Sequence, residues 1–130
     1  MQTTIPPIQP NALQQAHALQ SRTKEFAIRI VRVFRFLPKT DEARVIGRQL
    51  LRSGTSVAAN YRAVCRARSK AEFIAKMGVV LEEVDETVFW LEFLVDTQTI
   101  SPDRMAPLLQ EANELVSIFS ASKRTAQGRC

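Results

Sequence analysis

The chain has 130 residues, 45% of them apolar, with a net charge of +5 and a calculated pI of about 9.8. That length suits one domain with a real core. No run reaches the roughly 20 apolar residues of a membrane span, since the most hydrophobic stretch, Val88 to Val95, is broken by Glu92. With two cysteines, Cys65 and Cys130, and no basic-then-apolar leader, neither a disulfide framework nor secretion is expected, and the expected compartment is a reduced cytoplasm.

Residues 1–20, with Pro6, Pro7 and Pro10, read as a mobile N-terminal arm. Helical pattern begins weakly near Ala12 and is clear from Ser21, where a helical domain over residues 21–121 is placed. In its first helix Phe26, Ile30, Val33, Phe34 and Leu37 form one core stripe, flanked by Arg22, Arg29 and Arg32. Leu37-Pro38 ends it, because a residue before proline is pushed out of the α region. Thr40 is the expected cap of a second helix running to about Val64, with Asp41 and Glu42 suited to its positive end. Gly54 inside this helix is either tolerated, at about 1 kcal/mol relative to Ala, or marks a close helix crossing.

Ser69-Lys70-Ala71-Glu72 has the form of a capping box and opens a third helix to about Thr97. Its expected core face is Phe73, Met77, Val80, Leu81, Val84, Val88, Leu91 and Val95. Phe89, Trp90 and Phe93 fall elsewhere, behind Glu82, Glu83 and Glu86, and a patch of rings on a monomer's surface predicts a subunit interface. Ser101-Pro102-Asp103 starts a fourth helix, whose core stripe is Met105, Leu108, Leu109, Ala112, Leu115, Val116 and Phe119. Residues 122–130 read as a basic tail. Four amphipathic helices on short links predict an all-α, antiparallel up-down-up-down four-helix bundle.

The second helix has three sides rather than two. Ile46, Leu50, Val57, Tyr61 and Val64 are apolar. Gln49, Arg52, Ser53, Ser56 and Asn60 make a polar stripe beside them, expected to meet Glu83 or Glu86 within the bundle or across subunits. Arg44, Arg48, Arg62 and Arg66 make a basic stripe. Charge is polarised along the chain: residues 1–76 carry fourteen Lys/Arg against four Asp/Glu, a balance of +10, and residues 77–130 carry four against nine, −5. Such a chain attracts polyanions or the acidic side of another copy.

The segments Gln49-Leu50-Leu51-Arg52-Ser53, Ser56 to Arg62 and Arg66 to Phe73, with Glu83, Glu86 and Trp90-Leu91, resemble the four-helix-bundle proteins called 23S rRNA-intervening-sequence proteins. The similarity covers roughly residues 22–121. It implies a bacterial cytosolic protein, commonly a ring-shaped homopentamer, for most of whose relatives no biochemical activity is settled. A related accessory protein of diversity-generating retroelements, also a basic pentamer, contacts nucleic acid and a reverse transcriptase. One departure is Ala63, where the family often has Glu, so a polar network built on that Glu is reduced here.

No catalytic constellation is legible. His17 is the only histidine, the helix-two serines have no base, and the glutamates of the third helix lack the Glu-x-x-His pairing of di-iron bundles, so neither metal nor cofactor is expected. The leading expectation is a non-enzymatic oligomer that binds RNA or DNA nonspecifically through Arg29, Arg32, Arg44, Arg48, Arg62, Arg66, Arg68 and Lys70, with a possible protein partner. No aromatic interleaves with these residues in a pattern that suggests base stacking. The alternative is a homo-oligomeric scaffold or adaptor with no nucleic-acid role.

Overall fold

Ile30, on the first helix, rests directly on the backbone of the second, and this contact sets how the bundle is built. The computed structural model describes residues 12–128. It contains α1 (Ala12–Phe36), α2 (Asp41–Val64), α3 (Lys70–Asp96) and α4 (Pro102–Ala126). The residues placed in the arm before Ala12, and the last two of the tail, lie outside the described residues. Residues 12–20 form the first turns of α1, and 122–126 the last turns of α4.

Local chemistry sets the helix limits. The hydroxyls of Thr40, Ser69 and Ser101 accept from the backbone N–H groups of Ala43, Glu72 and Arg104 at 3.3, 3.0 and 3.3 Å, satisfying donors that a helix leaves orphaned. The reciprocal half of the Ser69 capping box is not formed. The Glu72 carboxylate turns along the helix to Lys76 at 3.6 Å instead. α3 ends in a Schellman turn: Gln98 takes a left-handed conformation (φ 61°), its N–H bonds to Val95 O, and that of Thr99 bonds to Leu94 O.

The buried positions recur in alternating steps of three and four. They are Thr23, Phe26 and Ile30 on α1, Met77, Val80, Val84, Thr87, Leu91 and Leu94 on α3, and Met105, Leu108, Ala112, Leu115 and Phe119 on α4. This is the heptad seam of bundle packing. It corrects the α3 core face: Thr87 and Leu94 are fully buried, while Phe73, Leu81, Val88 and Val95 pack at its edges. Thr87 belongs inside because its hydroxyl has partners there, donating to Glu83 O at 2.7 Å and meeting the buried Ser53 hydroxyl of α2 at 3.0 Å.

The contact pairs run in opposite directions along neighbouring helices. Gly47 of α2 lies against Phe34 and Leu37 of α1, and Gly54 against Ile30. On α3, Gly78 faces Lys123 of α4. Arg22 pairs with Glu111 and Glu114, whereas Phe36 meets Arg104. Those pairs make α1 antiparallel to both α2 and α4, and α3 antiparallel to α4; α2 and α3 are then antiparallel too.

The two glycines of α2 explain the tight α1–α2 seam. A Cβ at Gly54 would sit 2.7 Å from both Cγ atoms of Ile30, and one at Gly47 would sit 2.8 Å from Leu37 Cδ1. Gly54 therefore marks a close crossing. α1 meets α4 much less. Along that seam the Arg22 guanidinium donates to both carboxylate oxygens of Glu111 at 2.8 and 2.6 Å and to Glu114 at 3.0 Å, and these bonds raise the Arg22 pKa above its usual range.

Gly54→Ala should destabilise the fold by roughly 1–2 kcal/mol in urea melts, because overpacking a β-branched neighbour outweighs the gain in helix propensity. Gly78→Ala, whose added methyl meets only the flexible end of the Lys123 side chain, Nζ at 3.4 Å and Cε at 3.9 Å, should stabilise it by up to about 1 kcal/mol. Arg22→Ala should cost about 1.5 kcal/mol and speed amide exchange in α1 more than in α2 or α3.

Candidate nucleic-acid interface

The bundle divides its basic residues into those spent on carboxylates and those left free. Arg52, on the polar stripe of α2, reaches across to α3, bonding to Glu83 at 3.3 Å and also to Glu86. The hydrogen bond to Glu86 is the main cause of a raised Arg52 pKa. Beneath this exposed pair lies the buried Ser53–Thr87 contact, so the α2–α3 seam is polar from surface to core at one level. Gln49, Ser56 and Asn60 share the stripe without making side-chain hydrogen bonds among the described residues.

The free cations separate into two groups. Arg62 and Arg66, near the end of α2, line a groove of about 430 Å³ against α1, whose own contribution is Gln20 and Lys24; Ala58 and Ala59 supply the small side chains along it. Exposed Arg68 and Lys70 stand at the α2–α3 link, at the same end of the bundle. Arg29 and Arg32 face the other side of α1, in a groove of about 420 Å³ against α4. Arg44 and Arg48 are exposed on the first turns of α2. Among the described residues Arg29, Arg44, Arg48, Arg62, Arg66, Arg68 and Lys70 have no carboxylate partner, and Arg32 has only Glu25 at 3.8 Å with both side chains exposed. An exposed pair of that length contributes little.

Three residues of these grooves escaped the sequence pattern. Lys24 sits outside the α2 stripe, Arg104 belongs to the acidic half of the chain, and Phe36 lies off the core stripe of α1. Folding brings Phe36 and Arg104 together, the guanidinium 4.4 Å from the ring centre, beside Arg29 and Arg32. An aromatic does therefore interleave with the basic residues, contrary to the linear pattern. Among the described residues neither groove is lined by a histidine, cysteine, hydroxyl or carboxylate, and no cluster of three or more His, Cys, Asp or Glu could hold a metal ion. No helix among them is long and apolar enough to cross a membrane.

On the outer side of α3, Phe89 and Phe93 are 51% and 38% exposed and stack at 5.7 Å, while Trp90 turns toward the bundle and packs at the core edge. The Trp90 indole N–H is buried without an acceptor among the described residues. Glu92 and Asp96 flank a neighbouring depression between α3 and α4, so the exposed rings sit in an acidic setting.

Arg52→Ala should destabilise the protein by about 0.5–1 kcal/mol at low salt, and by less at high salt, in paired urea melts. An equal loss at both salt concentrations would mean that the side chain acts by packing alone.

The family model described as 23S rRNA-intervening sequence protein matches residues 16–121. A search of curated proteins finds no match. Among solved structures, a protein with unknown function from the S23 ribosomal protein family of Bacteroides thetaiotaomicron is 33% identical, with a TM-score of 0.78, covering 84% of this chain and 97% of its own. The bundle, its polar α2–α3 seam and the extent of both matches lead to one assignment: the chain belongs to the 23S rRNA-intervening sequence protein family.

Proposed function

We propose that this protein is a non-enzymatic, cytoplasmic oligomer that binds RNA or DNA nonspecifically through its basic surface. The observation that carries the reading is the set of free cations. Arg22 and Arg52 are occupied by carboxylates, whereas Arg62, Arg66 and Lys24 line a groove with none. Cations gathered in a groove without anions favour a polyanion, whose phosphates give affinity without sequence information. The groove's small alanines leave room for a backbone.

Self-association completes the reading. Two exposed phenylalanines, an acidic α3–α4 half and a basic α1–α2 half suit contact between copies, and a homopentamer is the assembly that the family resemblance implies. A ring would repeat each basic groove about its axis, so weak contacts would add by avidity. The exposed rings also favour the alternative, an oligomeric scaffold or protein-interaction adaptor that uses no nucleic acid.

Fluorescence anisotropy with mixed RNA and DNA, titrated with salt, separates the two. Binding should weaken linearly in log–log form, and Arg62→Ala with Arg66→Ala should lower the slope by roughly 0.7–0.9 for each phosphate no longer neutralised. No binding at low salt, together with an oligomer in sedimentation velocity, would leave the scaffold.

A further inference from the structure

The groove between the last turns of α1 and the first turns of α4 combines features that the α1–α2 groove lacks. Val33, Ile100, Met105 and Leu108 give it an apolar wall, and Arg29, Arg32 and Arg104 surround that wall with positive charge. Phe36 is 54% exposed, an unusual position for a ring on a helix that has a core to fill. Arg104 lies over the Phe36 ring, and about half of the residue remains open to solvent. Among the described residues no carboxylate lines the groove. It therefore offers a flat stacking surface, an apolar lining and three guanidinium groups in one place, of which only Arg32 has a carboxylate contact, the long exposed one to Glu25.

We propose that this groove is a single-stranded nucleic-acid subsite, in which one unpaired base stacks on Phe36 and Arg104 while Arg29 and Arg32 engage the adjoining phosphates. The proposal rests on the nucleic-acid reading above and deepens it by naming the form of the ligand. A base inside a duplex has both faces covered by its neighbours and cannot present one to a ring at the mouth of a groove, whereas an unpaired base can. Arg29 and Arg32 are three residues apart on one helix, so they are surface neighbours and can meet successive phosphates of the same strand. An acidic peptide would satisfy the charge, but it makes no use of the stacked ring and guanidinium. Stacking is tolerant of sequence because every base has a π-face, which agrees with nonspecific binding.

The test compares the parent protein with Phe36→Ala and Phe36→Trp. It uses a fluorescently labelled single-stranded oligonucleotide and the same strand annealed to its complement. Phe36→Ala should weaken single-strand binding by about tenfold or more, the effect expected when one base has no ring to stack on. It should leave duplex binding unchanged and lower the melting temperature only slightly, because the half-exposed ring gives up its contact with Arg104. Phe36→Trp should restore the affinity, and a fluorescent base analogue in the strand should be quenched by the parent and by Phe36→Trp but not by Phe36→Ala. Equal single-strand affinity in the parent and Phe36→Ala would overturn the subsite while leaving groove binding by phosphates intact. Failure of the parent to bind either form would remove both readings. Binding of a poly-glutamate peptide that is abolished in Phe36→Ala, with single-strand binding unaffected, would overturn the proposal in favour of an acidic protein partner.

Discussion

The close approach of Ile30 to the α2 backbone at Gly54 governs the layout of this bundle. A side chain at that position would hold the two helices apart, since Ile30 is β-branched and has little freedom to move aside. With glycine there, and again seven residues earlier at Gly47, α1 lies tight against α2. On its other flank α1 is not matched by a comparable seam. It is strapped to α4 by Arg22 with Glu111 and by Arg104 over Phe36, and between the helices runs an open groove. The groove thus lies on the flank of α1 opposite its tight seam with α2.

The charges are organised by the same logic. In α2 and α3, arginine and glutamate are brought together where they can cancel: Arg52 with Glu83 and Glu86 over the Ser53–Thr87 contact. A polar level of this kind adds modest net stability, because desolvation offsets much of the attraction, but it disfavours sliding of one helix along the other. Apart from Arg22, and from the long exposed contact of Arg32 with Glu25, the cations that line the α1 grooves and the outer face of α2 are not cancelled among the described residues. The division between paired and unpaired arginines separates residues that hold the fold from those available to a partner, and no composition count could have made it.

Much of the architecture was legible in the sequence. Thr40, Ser69 and Ser101 cap the helices that their positions predict, and the apolar face of α2 is buried throughout. The misreadings have physical causes. Thr87 reads as polar, yet it can satisfy its hydroxyl on its own helix and so enter the core. Val88 and Val95 match a 3.6-residue period, but the seam follows a 3.5-residue period and passes through Leu94 instead. The grooves were less legible, because each is made by side chains from two helices. Arg62 and Arg66 were recognisable as a stripe, but their neighbour Lys24 is some forty residues away in sequence. Arg104 was hidden by the acidic balance of its surroundings, and Phe36 by lying off the core face.

Trp90 stands at the boundary between the core edge and the exposed pair Phe89 and Phe93, with ring centres 4.8 and 6.0 Å from its own. It is the sole tryptophan of the chain. The fold therefore carries a native optical label beside an apolar face that it leaves uncovered, and the colour of its emission registers whether water or another surface lies against that face.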